Sequence, residues 1–327
     1  MKVLLTGATG FVGSHILDRL RAQGIATAVL LRPTSSKAFI AEHLPQVSVR
    51  FGSITDPESI HAALQDATHV IHCAGCTKAV RVSEFYAVNH QGTRHLVAAI
   101  QRQGNRIQRL VHISSLAASR PARADAPARE EDPPSPVSEY SQSKLAGESE
   151  VKEGCRTEFV ILRPSAVYGP RDADFLLLFK ALQRHVFPSF GGGRQAISLV
   201  HAKDLAAAAV VCLTHPAAAG RTYNVASPEA LMVRELAGEI ARQMKVWTLP
   251  LPLPLSFLWP ACLAQEALSR LTGRPSILSC QKYGELRAPG WVCDTTRLRD
   301  ELGFVAATAL RDGIAETLDW YRREHWL

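Results

Sequence analysis

The stretch KVLLTGATGFVG, residues 2–13, decides the fold of this chain. Its apolar run at residues 3–5 predicts a buried strand, and residues 14–20 have helical spacing. A strand, a glycine turn and a helix in this order place a helix N-terminus where its N–H groups and dipole can hold a pyrophosphate. In such a turn Gly7 bends the chain, Gly10 lets the backbone approach the phosphates, and Gly13 lets helix and strand pack closely. A glycine-rich loop without a ligand is the alternative.

The overall composition sets limits on the class of protein. The 327 residues are 46% hydrophobic and 20% charged, as in a soluble globular protein of one large domain or two modest ones. Because the first predicted strand begins at residue 3, we expect no signal peptide. Seven scattered cysteines predict reduced thiols and a cytoplasmic location. The net charge of +7 is spread among acidic residues, which predicts a basic surface and no nucleic-acid partner.

Strand and helix patterns alternate through the first half of the chain. Strands are predicted at residues 3–5, 26–31, 47–51, 69–73, 109–113 and 159–162, and helices at 57–64, 84–102 and 140–152. This alternation predicts an α/β fold with a Rossmann-type, doubly wound parallel sheet. Further helices are predicted at 174–183, 204–213, 231–244 and 310–323. We expect residues 1–169, with 195–227 returning to them, to form the dinucleotide-binding domain, and 170–194 and 228–327 a smaller, mainly helical substrate-binding lobe.

Two segments allow more than one interpretation. Residues 249–264 carry no charge, but prolines at 250, 252, 254 and 260 argue against a membrane-spanning helix. We predict an apolar loop and helix start there, either ordinary core or the wall of a pocket for a lipophilic substrate, with shallow membrane contact as the alternative. The proline-rich residues 121–136 are either a solvated connector or a flap over the site.

The end of the second predicted strand bears on the choice of nicotinamide cofactor. Folds that bind NAD place an acid about 20 residues after the glycines, where it accepts the ribose 2′-hydroxyl. Here the strand ends in Leu31-Arg32-Pro33, without an acid. The planar guanidinium of Arg32 suits a 2′-phosphate, and Lys37 could add a second charge. We therefore expect NADP in preference to NAD, with an ordinary surface arginine as the alternative.

A Tyr-x-x-x-Lys spacing supplies candidate catalytic groups. Tyr140 and Lys144 would share one helix face, and the ammonium would lower the pKa of the phenol, making it a proton donor or acceptor near neutral pH. The strand at 109–113 leads into Ser114 and Ser115, which would face the ligand crevice. Either serine could instead be an ordinary strand-end residue.

In these features the chain resembles the extended short-chain dehydrogenase/reductase superfamily, also called the NAD-dependent epimerase/dehydratase family. Within it, the resemblance is to the 3β-hydroxysteroid dehydrogenase-like and dihydroflavonol reductase-like branch. The matching motifs are TGATGFVG at 6–13, HCAG at 72–75, NHQGT at 89–93, SS at 114–115, YSQSK at 140–144, LRPSAVYGPR at 162–171, LVHAKDLA at 199–206, YNVAS at 223–227 and DTTRLRDELGF at 294–304. They cover most of the chain in family order.

The resemblance implies a role for each matched residue. Tyr140 would be the catalytic acid/base, Lys144 would tune it and bind the nicotinamide ribose, and Ser115, more than Ser114, would orient the substrate oxygen. The expected cofactor-binding residues are Gly7, Thr9, Gly10, Phe11, Val12, Gly13, Arg32, Ser53, Ile54, Ala74, Gly75, Tyr140, Lys144, Pro164, Ala166 and Val167. Where the family has Gly-Asp after its third strand this chain has Gly52-Ser53, which puts the adenine contact in doubt, and Asp56 is expected to cap a helix instead.

These observations predict an NAD(P)-dependent oxidoreductase that interconverts a ketone and a secondary alcohol on a bulky, lipophilic small molecule. The alternatives are a nucleotide-sugar epimerase or dehydratase with tightly bound NAD, in which Arg171 could meet a diphosphate, and a non-catalytic NADP-binding regulator. The resemblance also implies a homodimer formed through the helices at 84–102 and 140–152. We expect no metal site, because His69, His72 and Cys73 lie on a strand, where neighbouring side chains point to opposite faces.

Overall fold

The computed structural model describes residues 1–273, 276 and 279–327. Its first half alternates strands and helices as the sequence predicts. The elements are β1 (Lys2–Thr6), α1 (Phe11–Ala22), β2 (Ala26–Leu31), β3 (Ser48–Phe51), α2 (Pro57–Ala63), β4 (His69–His72), α3 (Val82–Phe85), a π-helical segment (Tyr86–Gln91), α4 (Gly92–Arg102), β5 (Arg109–Ile113), α5 (Glu139–Gly154) and β6 (Glu158–Pro164).

The second half is built from shorter strands and several helices. Its elements are β7 (Ala166–Tyr168), α6 (Phe175–Gln183), β8 (Val186–Phe190), β9 (Ala196–Ile197), β10 (Leu199–His201), α7 (Ala202–Val211), β11 (Arg221–Val225), β12 (Leu231–Met232), α8 (Val233–Met244), β13 (Leu249–Leu253), α9 (Leu255–Thr272), α10 (Tyr283–Arg287), β14 (Gly290–Trp291), α11 (Thr296–Leu302) and α12 (Leu310–Arg323).

Seven strands form one parallel sheet in the order β3-β2-β1-β4-β5-β6-β11. The order reverses between β1 and β4, so the crevice at the carboxyl ends of these two strands is where a ligand binds in folds of this kind. The predicted doubly wound parallel sheet is confirmed. The seventh strand, β11, was not predicted.

Both faces of the sheet are covered by helices because neighbouring residues of a strand point to opposite sides. Leu5 lies in a cluster with α1 and α7, whereas Leu4 lies in a second cluster with α2, α4 and α5. A third cluster, around Phe179, Leu236 and Tyr321, joins α6, α8 and α12 away from the sheet. The division of the chain into a dinucleotide-binding domain and a substrate-binding lobe stays a prediction.

One of the two ambiguous segments differs from its predicted form. Residues 249–253, expected in a loop, form β13, which pairs with β8, and α9 continues through Pro260. The proline-rich loop is held by backbone hydrogen bonds, since Ala122 N–H donates to Gly290 O (3.0 Å) and Ala128 N–H to Val292 O (2.9 Å). Within the described residues, no helix combines the length and apolar character needed to cross a membrane.

Candidate active site

The turn between β1 and α1 brings three backbone segments into close contact. Gly7 has φ +75°, and a Cβ built on it would lie 2.6 Å from the backbone nitrogen of Ala74. A Cβ on Gly13 would lie 2.0 Å from the carbonyl oxygen of Gly7. Only glycine fits such approaches, so the turn and the close helix–strand packing expected from the sequence are both present.

The first turn of α1 presents its N–H groups without a side-chain cap. Gly10 is the N-cap residue, and the helical hydrogen bonds begin with Ser14 N–H, which donates to Gly10 O (2.9 Å). The N–H groups of Phe11, Val12 and Gly13 precede that bond. There is no acidic residue in this turn, so its partial positive charge is available to an anion.

A cavity of about 480 Å³ opens beside this turn. Half of the predicted cofactor-binding residues line it, namely Gly7, Thr9, Gly10, Arg32, Ser53, Ile54, Ala74 and Gly75. Sequence reasoning missed further lining residues, among them Ser35, Thr77 and Lys78. No acidic side chain lines the cavity among the residues that the structure describes, which makes it suited to an anionic ligand.

The remaining predicted cofactor residues lie beside the cavity or beyond it. At the start of α1, Phe11 and Val12 are half-buried and Gly13 is buried, and Tyr140 and Lys144 lie on α5. A third group, Pro164, Ala166 and Val167, lies at the end of β6 and in β7. None of these is among the residues that line the cavity. Their cofactor contacts stay predictions.

Asn89 fixes the loop that follows β4, a role that the sequence reading did not assign. Its side-chain amide accepts from Cys76 N–H (2.8 Å) and donates to Cys76 O (2.9 Å) and to Ser143 Oγ (2.9 Å). Asn89 lies in the π-helical segment, where one helical turn is widened. The loop and α5 are therefore held together by one buried side chain.

The candidate catalytic residues lie on α5 and just beyond the end of β5. Lys144 follows Tyr140 by four residues on α5, and this helix begins with a capping box between Ser138 and Ser141. Ser115 lies just beyond the carboxyl end of β5, and its hydroxyl is close enough to the Tyr140 phenol to lower the pKa of that phenol. The structure thus brings Ser115 and Tyr140 together, while their catalytic roles stay predictions.

Lys144 is turned toward the end of β5 and toward the cavity. Its ammonium donates to Ile113 O (2.7 Å), and a Cβ built on Gly75, which lines the cavity, would lie 3.7 Å from its Nζ. Burial lowers the pKa of Lys144 to about 8. The lysine is therefore a buried cation next to the loop that lines the cavity.

The pKa of Tyr140 does not follow the expectation from the sequence. Burial raises the pKa of the phenol well above its ordinary value, the hydrogen bond with Ser115 lowers it, and the charge of Glu285 raises it. Among the effects of the protein's own groups on the phenol, desolvation outweighs the favourable contacts, so the prediction of a lowered Tyr140 pKa was wrong.

The two adjacent serines have different surroundings. Ser114 Oγ donates to Glu148 Oε1 (2.6 Å), and that fully buried carboxylate also pairs with Arg163 at 2.7 and 2.8 Å. Ser114 is therefore part of a buried structural network, whereas the half-buried Ser115 faces Tyr140. This geometry favours Ser115 for the role that the resemblance implies.

The far end of the chain also reaches Tyr140. Lys282 Nζ lies 5.1 Å from the centre of the Tyr140 ring, within range of a cation–π interaction, and the Phe85 ring meets the same phenol edge-on at 6.0 Å. Glu285 accepts a hydrogen bond from Ser138, the N-cap of α5. No local sequence signal connects residues 282–285 with Tyr140.

The histidines and cysteines of 69–76 have separate partners. His72 is hydrogen-bonded to Thr6 (2.8 Å) and Thr93 (3.1 Å), and burial lowers its pKa to about 3. The thiol of Cys73 is free, and burial raises its pKa to about 12. These groups stabilise the end of β4 and show no shared ligand geometry among the described side chains.

The chain is similar to known proteins over nearly its whole length. The sequence model of the NAD dependent epimerase/dehydratase family matches residues 3–226. A ceramide reductase of Caulobacter vibrioides is 29% identical over 325 residues, which are 99% of this chain and 96% of the relative.

Solved structures agree with the fold. The crystal structure of gox2253 has a TM-score of 0.81 at 25% identity and covers 98% of each chain. The UDP-glucose 4-epimerase of Thermus thermophilus, solved in complex with NAD, has a TM-score of 0.77 at 25% identity and covers 98% of this chain and 99% of its own.

Proposed function

Since the chain belongs to the NAD-dependent epimerase/dehydratase family and is an NAD(P)-dependent enzyme, we propose that it interconverts a ketone and a secondary alcohol on a bulky, lipophilic substrate. The observation that carries this proposal is the meeting of Ser115 and Tyr140 at the carboxyl end of β5, with Lys144 beside the cavity loop. A proton donor next to a dinucleotide cavity is what carbonyl reduction requires.

The residues of the cavity fit a dinucleotide. The crowded glycine turn, the uncapped start of α1 and the absence of an acid among the described lining residues suit a pyrophosphate. The nicotinamide of the bound cofactor supplies or accepts a hydride. The backbone N–H groups of residues 11–13 would hold the pyrophosphate, and Lys144 would approach the nicotinamide ribose.

In this proposal the proton moves through Tyr140. During reduction the phenol donates its proton to the substrate oxygen, and during oxidation the phenolate accepts it. Ser115 donates a hydrogen bond to the same oxygen and holds it in line with the phenol. The positive charge of Lys144 would stabilise the phenolate that forms, against the burial that raises the pKa of Tyr140.

Arg32 supports NADP as the preferred cofactor. It lines the cavity beyond the end of β2, the position at which NAD-binding folds carry an acid. The guanidinium can pair with two oxygens of a 2′-phosphate. Lys37, the second candidate, places its ammonium 5.4 Å from the centre of the Phe51 ring and does not line the cavity.

The substrate class rests on two supports. The relative named ceramide reductase acts, by its name, on a lipid, and it spans nearly the same length as this chain. The uncharged residues 249–264 also give the second half a large apolar surface. We therefore propose a long-chain ketone or its alcohol as substrate.

Turnover of graded ketones tests this function. We expect NADPH oxidation with ketones of increasing chain length, presented in detergent, and a loss of about a hundredfold or more in kcat for Tyr140→Phe with cofactor binding retained. Ser114→Ala is the matched control for Ser115→Ala, since only the latter removes a contact with the phenol. Unchanged turnover in Tyr140→Phe would rule out the mechanism.

A nucleotide-sugar epimerase is the second candidate, supported by the structural likeness to the NAD-bound UDP-glucose 4-epimerase. Against it, Arg171, the residue expected to meet a diphosphate, donates to Asp18 (2.7 Å). Co-purified NAD and turnover of UDP-glucose would favour the epimerase. A non-catalytic regulator is disfavoured by the presence of both Tyr140 and Lys144. Pairing of two copies through α4 and α5 stays a prediction, tested by light scattering.

A further inference from the structure

Helix α9 exposes an apolar stripe that faces away from the rest of the protein. Along one side of the helix lie Phe257, Pro260, Ala264, Leu268 and Leu271, which follow one another at intervals of three or four residues. Phe257 is 65% exposed, Leu268 52% and Leu271 86%. The opposite side is held against the protein by residues that include the buried Leu258 and Cys262.

The strand that leads to α9 also exposes apolar side chains. Trp247, Leu249 and Leu251 are exposed, and β13 pairs with β8 in a two-stranded sheet. We call the exposed residues Trp247, Leu249, Leu251, Phe257, Leu263, Leu268 and Leu271 the α9 face. So many exposed apolar side chains in one short segment of the chain mark an interaction site.

The segments that precede the α9 face in the chain are rich in cations. Residues 175–203 and 240–265 contain no Asp or Glu, while they carry Lys180, Arg184, Arg194 and Lys245. Their other two cations are paired with acids outside these ranges, Lys203 with Glu316 and Arg242 with Glu239. Arg184 and Lys245 are exposed and flank the stacked rings of His185 and Trp247, whose centres are 4.3 Å apart. Neither cation makes an ion pair with any residue that the structure describes. An apolar face with an exposed tryptophan and a cationic rim complements an anionic lipid surface.

The inner side of α9 connects this surface with the candidate active site. A cavity of about 800 Å³ lies between Glu266 and Arg270 of α9 and Glu139, the residue before Tyr140. Trp259 meets the Tyr283 ring edge-on at 5.1 Å, and the neighbouring Lys282 lies over the Tyr140 ring. A molecule that enters along α9 would therefore arrive at the catalytic helix.

We propose that the α9 face docks on the surface of an anionic lipid bilayer, with the apolar side chains in the interfacial region and Arg184 and Lys245 near lipid phosphates. The docking itself does not depend on the reaction. Its purpose, access to a membrane-dissolved lipophilic substrate, rests on the proposed function.

Vesicle co-sedimentation of the full chain tests the docking. We expect binding to phosphatidylcholine vesicles that contain phosphatidylglycerol, weaker binding to phosphatidylcholine alone, and a blue shift of tryptophan emission that Trp247→Phe reduces. The combined variant Phe257→Ser/Leu268→Ser/Leu271→Ser should weaken binding by roughly tenfold or more, because three apolar side chains no longer enter the interface. Val305→Ser, which removes a 47% exposed side chain elsewhere, should bind as the wild type does.

The possible results separate this inference from the proposed reaction. Tyr140→Phe should bind vesicles normally while losing turnover, and the combined variant should reduce a soluble ketone normally while losing activity on ketone embedded in vesicles. The docking is wrong if the wild type binds neither kind of vesicle, or if the combined variant binds as the wild type does. It is also wrong if the α9 face is instead a dimer interface. In that case the wild type would be a dimer that binds no vesicles, and the combined variant would be a monomer.

Discussion

Gly10 offers a way to separate cofactor binding from folding. It lines the cavity at the N-cap of α1, with φ −80° and ψ 172°, a conformation open to any residue. A Cβ built on it meets only Gly7 O, at 3.4 Å. A methyl group at this position would therefore occupy space in the cavity without straining the backbone.

The expected effects of Gly10→Ala on stability nearly cancel. Alanine is a poorer N-cap than glycine by up to about 1 kcal/mol, while the unfolded chain loses entropy worth about 0.4–1 kcal/mol. The free energy of unfolding should stay within about 1 kcal/mol of the wild type. For the ligand, a methyl group that keeps the pyrophosphate from one backbone N–H removes a charge-assisted hydrogen bond of about 1.5–3 kcal/mol. We expect NADPH to bind roughly ten- to a hundredfold more weakly.

Gly24→Ala is the matched control. Gly24 has φ +66° and open space around its Cβ position, so alanine there costs about 1 kcal/mol of stability through its backbone alone. The residue follows the far end of the 12-residue helix α1, about 18 Å from its start, and cofactor affinity should not change.

Urea unfolding and calorimetric titration with NADPH measure both quantities on the same preparations. Equal NADPH affinity in wild type and Gly10→Ala would refute the placement of the pyrophosphate at this turn. So would a loss of affinity in Gly24→Ala of the same size as in Gly10→Ala.

Three further predictions concern charged residues. Arg32→Ala should lower kcat/KM for NADPH by about tenfold or more and leave the value for NADH nearly unchanged, in parallel initial-rate assays. The pKa of Glu148 is lowered because Arg163 outweighs the effect of burial, so the stability that Glu148 contributes is present above the unfolded pKa of 4.5 and is lost as the pH falls further. Glu148→Gln should make this loss of stability in acid smaller. At pH 7, measured by urea unfolding, it should lower the free energy of unfolding by about 3–5 kcal/mol, against at most about 0.5 kcal/mol for the exposed Glu153→Gln. Burial lowers the pKa of Lys144 to about 8, so between pH 8 and the ordinary lysine pKa of 10.5 the unfolded chain binds more protons than the folded one. The stability of the wild type relative to Lys144→Met should therefore rise with pH across that range. If this rise is absent, the burial of a charged Lys144 is contradicted.

The features predicted from the sequence are those set by neighbours in the chain. The strand–glycine–helix order at residues 2–13, the six strands of the first half and the four-residue spacing of Tyr140 and Lys144 all depend on local geometry. Asp56 caps α2 as expected, accepting from Glu58 N–H. Period and spacing carry this information directly, because side chains two, three or four residues apart meet in every strand or helix of the same kind.

Other features depend on contacts that local patterns do not encode. β11 is a short strand with Thr222 and Asn224 in it, and it is defined by pairing with β6. Residues 249–253 read as a loop because of their prolines, yet as an outer strand they need few backbone donors. The widened turn at Tyr86–Gln91 coincides with the buried hydrogen bonds of Asn89 to the loop after β4.

The same division of local and long-range contacts applies to the chemistry. The local spacing on α5 supplies a phenol and an ammonium, but their protonation is set by what packs around them. Burial opposes the charged forms of both Tyr140 and Lys144, and Glu285 and Lys282 reach the phenol from the far end of the chain. Members of one family can thus keep the catalytic spacing while their second halves change the surroundings of the phenol and the substrate that reaches it. For this chain, replacing Lys282 by a neutral residue should alter the pH profile of turnover more than the affinity for the cofactor. The reason is that Lys282 contacts the phenol ring and does not line the dinucleotide cavity.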